Sequence, residues 1–96
     1  MKYRISEAAY RDLDEIWLYT FQEWSEHQAN KYFESIIQEI EFLSEHPDKA
    51  KQMLKVSSEF FYFRALSHYV FFKKRDGQID IIRILHKRMN FSEHLE

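Results

Sequence analysis

The spacing of hydrophobic and polar residues divides this chain into two parts. Between residues 6 and 46 the apolar side chains recur every three or four positions, which is the period of one helix face. After residue 60 they form nearly continuous runs, with seven aromatic residues within residues 60–72. The first part therefore predicts helices, and the second predicts strands that are apolar on both faces.

Two helices are predicted to follow a short strand at residues 2–5. Ser6 is a typical N-cap for the first helix, because its hydroxyl can accept a hydrogen bond from the free N–H groups of the first turn. Ser25 and Gln28 form a capping-box pattern that starts the second helix, and Pro47 ends it. The short connection between the helices predicts an antiparallel hairpin whose two apolar stripes face one common surface.

Each predicted helix has an apolar stripe and a polar face. The first stripe consists of Ala9, Leu13, Ile16, Trp17, Thr20 and Trp24. The second consists of Ala29, Tyr32, Phe33, Ile36, Ile37, Ile40 and Leu43. The polar face of the first helix carries Arg11, Asp12, Asp14, Glu15 and Glu23. Packing in the core is the favoured interpretation of both tryptophans, although Trp24, near the tip of the hairpin, is also a candidate for contact with a target.

A hairpin turn at Asp76-Gly77 fixes the predicted register of the last two strands, because a type I′ turn needs positive φ at both central positions. Residues 48–58 precede the strands and predict a turn or a short helical piece. The predicted pairs are Arg75–Gln78, Lys74–Ile79, Lys73–Asp80, Phe72–Ile81, Phe71–Ile82, Val70–Arg83, Tyr69–Ile84 and His68–Leu85. This register places His68 and Arg83 on one face and His86 on the other. One face must pack on the helices, and the other is covered by the C-terminal tail or by a partner.

Composition narrows the function classes. The 96 residues predict one domain, residues 1–96, and the absence of Cys excludes disulfides and thiolate metal sites. One Gly leaves no Gly-rich phosphate loop, and the five His residues lack the spacing of metal ligands, so neither a cofactor nor a metal is expected. No apolar run is long enough to span a membrane, which predicts a cytoplasmic protein without membrane partners.

Charge is distributed unevenly between the two halves. Residues 1–46 carry ten acidic and four basic side chains, whereas residues 47–96 carry six acidic and ten basic ones. A basic group of Arg83, His86, Lys87 and Arg88 closes the last predicted strand. The second half therefore suits an anionic partner, unless both charged surfaces are only solvated.

The order of these elements coincides with residues that resemble the ParE branch of the RelE/ParE toxins of type II toxin–antitoxin systems. In the first half the similar positions are Ala9, Asp12, Leu13, Ile16, Tyr19, Thr20, Trp24, Gln28, Ala29 and Tyr32. In the second half they are Phe63, Arg64, Ser67, His68, Phe71, Phe72, residues 82–86, Arg88 and Met89. The chain departs from the family in lacking glycines at Ser25, at the Ala65-Leu66-Ser67 turn and at residues 48–50.

The resemblance implies an α+β fold, with an N-terminal antiparallel helical hairpin packed on a small antiparallel sheet in the order β-α-α-β-β-β. It implies a toxin that a cognate acidic antitoxin neutralises by folding onto its sheet and helices. It further implies that the free toxin inhibits DNA gyrase and blocks replication, without sequence-specific binding of nucleic acid. A homodimer or a toxin–antitoxin hetero-oligomer is compatible with this interpretation.

Two other functions stay open, because one fold can serve several activities. Related proteins of this fold cut mRNA on the ribosome, and an endoribonuclease of that type would use Arg64, Arg83 and His86. A module that binds an antitoxin without being toxic is the third alternative. The non-enzymatic toxin is favoured over the nuclease because the predicted register separates His68 from His86.

The candidate partner-binding residues are Trp24, Arg64, His68, Arg83, His86, Lys87 and Arg88. Arg83 has two interpretations. Its guanidinium either bonds within the chain, to a main-chain carbonyl or a helix carboxylate such as Asp12, or pairs with an antitoxin carboxylate through its bidentate geometry.

Overall fold

The helices and strands follow the predicted order, and the computed structural model describes residues 3–53 and 59–95. The elements are β1 (Tyr3–Ile5), α1 (Glu7–Glu23), α2 (Glu26–Glu45), a 3₁₀ turn (Pro47–Lys49), β2 (Lys51–Gln52), β3 (Phe61–Ala65), β4 (His68–Arg75), β5 (Gln78–His86) and α3 (Phe91–His94). The α+β arrangement of a helical hairpin on a sheet is confirmed. Strand β2 and helix α3 are additions to the predicted order.

Serine side chains start both long helices, as predicted. The Ser6 Oγ accepts a hydrogen bond from the Ala9 N–H at 3.0 Å, and the Ser25 Oγ accepts one from the Gln28 N–H at 3.1 Å. Each bond satisfies one of the N–H groups that a first helical turn leaves without an intrahelical partner. The 3₁₀ turn after α2 confirms the short helical piece predicted within residues 48–58, of which residues 54–58 lie outside the described part.

The sheet has the strand order β1-β5-β4-β3-β2. Strands β3 to β5 pair antiparallel, as predicted, and the added β2 pairs antiparallel with β3. Strand β1 joins the edge of β5 in parallel, so the sheet is mixed and not wholly antiparallel as predicted. The parallel pairing covers only Ile79 to Ile81, so the outer edge of β5 is open to other partners beyond that point. Ser6 begins to fill this gap, because its hydroxyl donates to the Ile82 carbonyl oxygen at 2.8 Å.

The β4–β5 hairpin has the predicted turn, with φ of 46° at Asp76 and 79° at Gly77. The predicted register is confirmed from Arg75–Gln78 to Phe72–Ile81 and is wrong by one residue beyond that pair. The observed pairs there are Phe71–Arg83, Val70–Ile84, Tyr69–Leu85 and His68–His86, because a β-bulge at Ile82 adds one residue to β5.

The bulge has a physical reason. Unbroken alternation would direct Arg83 to the helix side together with Ile81 and would bury its charge in the core. The extra residue places Ile84 there instead, with 2% of its surface exposed. The bulge cannot be located from the sequence, because Arg83 is flanked by three isoleucines that are equally suited to either sheet face.

Both sheet faces are covered. Residues of α1 and α2 pack on one face around Val70, Phe72 and Ile81, which are fully buried. On the other face the C-terminal segment packs on Phe71, and the ring centroids of Phe91 and Phe71 are 4.8 Å apart. The first of the two predicted alternatives, coverage by the C-terminal tail, is therefore confirmed.

The ion pair of the β4–β5 hairpin joins residues that are not neighbours in the ladder. Lys73 and Asp80 are neighbours in the ladder as predicted, but Asp80 forms its ion pair with Arg75, Nε to Oδ2, at 3.2 Å. The Lys73 ammonium instead lies 4.9 Å from the centre of the Phe60 ring. Within residues 3–53 and 59–95, no helix has both the length and the apolar content that a membrane span requires.

Candidate partner-binding cleft

An open cleft of about 810 Å³ lies between α1 and the end of the sheet at which β5 stops. It is lined by Asp12, Glu15, Ile16, Tyr19, Thr20, Trp24, Tyr32, Ser67, His68, Ile84, His86, Lys87, Arg88 and Met89. Helix α1 supplies one wall, and the β3–β4 turn together with the end of β5 supplies the other. The lining combines aliphatic and aromatic side chains with charged groups of both signs.

An ion pair joins the two walls at the base of the cleft. The Arg83 guanidinium donates to both carboxylate oxygens of Asp12, from Nε at 2.7 Å and from Nη2 at 2.8 Å. The carboxylate also accepts the Ile84 backbone N–H at 2.9 Å, on the edge of β5 that β1 leaves open. The hydrogen bonds between Arg83 and Asp12 raise the pKa of Arg83 above its usual value. Arg83 thus follows the intramolecular interpretation, with the helix carboxylate predicted for it.

Arg83 connects a third element as well. Its Nη1 donates to the His94 carbonyl oxygen at 3.2 Å, which ties the C-terminal segment to the same pair. Asp12 itself was assigned to the polar face of the first helix, and this assignment is wrong, since only 8% of its surface is exposed. Helical spacing alone does not distinguish Asp12 from Asp14; the resemblance and the alternative considered for Arg83 both named Asp12, and the partner 71 residues away confirms it.

His68 is held by a tyrosine from α2. The Tyr32 hydroxyl accepts the Ser67 backbone N–H at 3.2 Å and lies 2.9 Å from the Nδ1 of His68. The direction of the bond between Tyr32 and His68 follows the ring tautomer: when the His68 proton is on Nε2, the hydroxyl donates to Nδ1. Burial lowers the pKa of His68 to about 4, with a further contribution from the charge of His86, while Asp12 acts in the opposite direction. His68 is thus neutral near pH 7.

His86 faces His68 across the ladder. Their ring centroids are 5.1 Å apart with the planes nearly perpendicular. The predicted separation of these two residues onto opposite sheet faces is wrong, and the bulge at Ile82 is the cause. The Nδ1 of His86 accepts the Arg88 backbone N–H at 3.1 Å, so the neutral form of this ring carries its proton on Nε2.

Exposed cationic and aromatic side chains form the rim. Lys87 and Arg88 are exposed on the sheet side, where the Lys87 N–H donates to the Ser67 carbonyl oxygen at 3.1 Å. On the helix side Tyr19 is 65% exposed and Trp24 is 75% exposed. Core packing, the favoured interpretation of both tryptophans, is therefore wrong for Trp24, which is the C-cap residue of α1.

Arg64 lies outside the set that lines the cleft. Its Nε donates to the Leu66 carbonyl oxygen at 2.9 Å and supports the β3–β4 turn. Of the seven candidate residues, the structure brings five to the cleft lining: Trp24, His68, His86, Lys87 and Arg88. Arg83 lies at its base.

Sequence reasoning missed the contact of Tyr32 with the β3–β4 turn and His68. Tyr32 belongs to the apolar stripe of α2, and a half-buried tyrosine needs a hydrogen-bond partner for its hydroxyl. The sequence could therefore have indicated that the Tyr32 hydroxyl has a polar partner, but only the fold identifies Ser67 and His68 as the partners. In the described ranges, no three His, Asp or Glu side chains are grouped to hold a metal ion.

Comparisons with known proteins agree with this architecture. The profile of the family described as "ParE toxin of type II toxin-antitoxin system, parDE" matches residues 3–91. Toxin ParE1 of Caulobacter vibrioides is 36% identical over 93 residues, covering 97% of this chain and 96% of the relative. Toxin ParE1 of Mycobacterium tuberculosis is 30% identical over 95 residues, covering 98% and 97%.

A solved structure supports the fold alone, because its sequence identity is only 17%. This structure, described as "Chromosomal ParDE TA system from P. aeruginosa", superposes with a TM-score of 0.78 over 90% of this chain and 95% of its own. The family assignment rests on two other findings: the family profile matches nearly the whole chain, and the two ParE1 relatives are similar over almost their full length. The chain belongs to the ParE toxins of type II toxin–antitoxin systems.

Proposed function

We propose that a cognate acidic antitoxin neutralises this toxin by folding into the cleft, and that the free toxin inhibits DNA gyrase in the cytoplasm and so blocks replication. Family membership supports the toxin–antitoxin part of the proposal. The shape and chemistry of the cleft support the position of the antitoxin.

The cleft suits an amphipathic acidic segment. Ile16 and Met89 offer apolar contact in its lining, and Lys87 and Arg88 supply positive charge at the rim. A segment that folds on binding can place apolar side chains into the cleft and carboxylates against the rim. The second sheet face, also predicted to take the antitoxin, already carries the C-terminal segment, so the proposal concentrates on the cleft.

The observation that carries the non-enzymatic interpretation is the hydrogen bonding at the Nδ1 atoms of the two facing imidazoles. A general base needs a ring nitrogen with a free lone pair near the substrate. The Nδ1 of His86 already accepts the Arg88 N–H, and the Nδ1 of His68 is hydrogen-bonded to the Tyr32 hydroxyl. The Arg64 guanidinium binds the Leu66 carbonyl oxygen, and the Arg83 guanidinium is occupied by Asp12 and the His94 carbonyl oxygen, so neither is free to hold a phosphate. The nuclease set named in the sequence analysis is therefore not assembled.

One observation favours the alternative function of a nuclease, namely the contact between His68 and His86. Two imidazoles 5.1 Å apart beside Lys87 and Arg88 could serve a phosphodiester if a substrate displaced the Arg88 N–H from His86. This alternative predicts that His86→Ala abolishes toxicity and RNA cleavage together.

The deciding experiment is inducible expression in a bacterial host with pulse labelling of DNA and protein synthesis. Inhibition of gyrase predicts an early fall in DNA synthesis and filamentous cells, and co-expression of the cognate antitoxin should restore growth. An immediate fall in protein synthesis would instead favour the ribosome. Unimpaired growth at full expression would favour the non-toxic binding module.

Purified protein gives the direct test. We expect it to inhibit the supercoiling of relaxed plasmid by gyrase, and we expect the same preparation to leave ribosome-bound mRNA intact. The antitoxin complex serves as the matched control, because neutralisation should restore supercoiling. Cleavage of the mRNA with undisturbed supercoiling would refute the proposal.

A further inference from the structure

The side of the helix hairpin that faces away from the cleft carries an exposed aromatic surface. We call it the outer face and define it by Tyr10, Asp14, Trp17, Leu18, Phe21 and Asn30. The five residues from α1 have the spacing of one helix side, and Asn30 lies opposite them on α2. Tyr10 is 55% exposed, Leu18 50% and Phe21 43%, so this surface is apolar and accessible.

Two aromatic rings on the outer face are held in a fixed orientation. The Trp17 and Phe21 rings are stacked, with centroids 5.3 Å apart and an angle of 7° between their planes. The Trp17 indole N–H donates to the Asn30 Oδ1 at 2.9 Å, which anchors the pair to α2. Rings fixed before binding lose little conformational entropy when a ligand stacks on them.

A carboxylate lies beside these rings. Asp14, Trp17, Asn30 and Phe33 line a shallow pocket of about 360 Å³ between the helices. Asp14 is exposed, and in the described part of the chain no cation forms an ion pair with it. An aromatic surface next to a free carboxylate has the chemistry that recognises a cationic side chain, through cation–π contact and a salt bridge.

The charge around the outer face is predominantly negative, like that of Asp14. Residues 7–45, which span both helices, carry ten acidic and two basic side chains. Glu34 and Glu41 are exposed on the same side of the hairpin as Asp14 by their helical spacing, and so is Glu7, whose carboxylate lies 3.9 Å from the Arg11 guanidinium. This field attracts a basic partner and repels an acidic one. A symmetric pairing of two copies would bring these acidic groups together, which disfavours a second copy of this chain.

We propose that the outer face is a second docking surface, distinct from the cleft, for a basic amphipathic segment of another protein. An arginine of that segment stacks on Trp17 and Phe21 and pairs with Asp14, while its apolar residues contact Tyr10 and Leu18. Arginine fits better than lysine because its planar guanidinium can stack and bind a carboxylate at the same time. The proposal does not depend on the cellular target of the toxin.

The test is an NMR titration with a synthetic amphipathic helix that has arginines on its polar face and leucines on its apolar face. The chain has two tryptophans, Trp17 and Trp24, and hence two indole N–H resonances, which Trp24→Phe assigns. We expect the Trp17 resonance to shift strongly, and the Trp24 resonance in the cleft to move little. The same peptide with glutamates in place of the arginines should leave Trp17 unshifted.

Two matched variants give the quantitative readout. Asp14→Asn should raise the dissociation constant of the arginine peptide about two- to fivefold, the range of an exposed ion pair. Asp48→Asn removes the same charge from the exposed 3₁₀ turn and should leave the constant unchanged. Both positions are exposed, so neither variant is expected to disturb folding.

Three results would overturn the proposal. The first is a titration in which the arginine peptide shifts Trp24 and not Trp17. The second is an equal loss of affinity in Asp14→Asn and Asp48→Asn, which would mean only diffuse attraction to an acidic protein. The third is self-association in sedimentation that Leu18→Ser abolishes, which would assign the outer face to a second copy.

Discussion

Helix α1 has two accessible sides, and they are held in place differently. The cleft side is fixed by hydrogen bonds between residues far apart in the chain, from Asp12 to Arg83 and from Tyr32, on the neighbouring helix, to His68. The outer face is fixed by one side-chain hydrogen bond between adjacent helices, from Trp17 to Asn30. The cleft side therefore depends on the complete fold, whereas the outer face depends only on the helix hairpin.

This difference separates two kinds of functional residue. A cleft residue such as Asp12 is needed both to join the elements and to shape the site, so its loss affects folding and binding together. A residue of the outer face such as Asp14 is exposed and can be changed with little effect on the fold. Experiments on the cleft must therefore measure stability beside function, and experiments on the outer face can measure binding directly.

The largest contrast is expected between two aspartates of the same helix. Asp12→Ala leaves the Arg83 guanidinium and the Ile84 N–H without their acceptor, so we expect a loss of about 2–4 kcal/mol in the free energy of unfolding. Asp14→Ala should change it by less than about 0.5 kcal/mol. Urea unfolding monitored by circular dichroism measures both. Similar losses in the two variants would contradict the distinction between the two sides.

The next effect is a pH dependence that belongs to the cleft side. The folded protein holds the pKa of His68 at about 4, below the value near 6.5 of an unperturbed histidine. Between these values the unfolded chain binds a proton that the folded chain excludes, so stability is complete above pH 6.5 and falls toward pH 4. We expect this contribution to be about 1–2 kcal/mol, because partial solvation of the ring weakens it.

His68→Gln removes that titration, and the control is His27→Gln at the exposed start of α2. We expect the fall in unfolding free energy between about pH 7 and pH 4.5 to become smaller by about 1 kcal/mol in His68→Gln only. An NMR titration of the His68 ring checks the same point. If the His68 ring titrates near pH 6.5, the burial of His68 does not govern its charge.

A smaller effect is expected for the basic rim of the cleft. Lys87→Gln combined with Arg88→Gln removes two exposed positive charges, and we expect the dissociation constant of the antitoxin to rise about fivefold. The loss should shrink at high salt, since the ions screen the rim. Lys49→Gln combined with Lys51→Gln removes the same charge from exposed residues outside the cleft. Equal losses in the two double variants, measured by calorimetry, would show that only net charge matters.

The sequence predicted the parts of this molecule that local physics controls. The caps at Ser6 and Ser25 and the turn at Asp76-Gly77 use side chains and backbone angles that the neighbouring residues determine. The family and its fold also followed from the order and spacing of many residues. What could not be predicted depends on contacts across the fold.

The bulge at Ile82 is the clearest example. It is favoured because it removes Arg83 from the apolar core, and that advantage exists only when the helices cover the sheet. Its consequence, the contact of His68 with His86, reverses the main argument that the sequence offered against the nuclease. The argument for a non-enzymatic toxin now rests on the hydrogen bonds at the two Nδ1 atoms instead.

The smallest expected effect concerns the turn that carries Ser67 and His68 into the cleft. Leu66 has φ of 62°, a left-handed conformation that costs a branched residue about 1 kcal/mol or more. Leu66→Gly removes this cost but makes the unfolded chain more flexible, so we expect a net stabilisation of about 0.5 kcal/mol in thermal unfolding. Gly77→Ala in the other hairpin turn should act in the opposite direction by about 1 kcal/mol through backbone conformation alone, since a Cβ there would meet no atom within 4 Å.

Leu66 is also 46% exposed beside the cleft. Stabilisation without a change in antitoxin affinity would mean that the turn only positions its neighbours, whereas weaker binding by Leu66→Gly would place the leucine itself in the contact with the antitoxin.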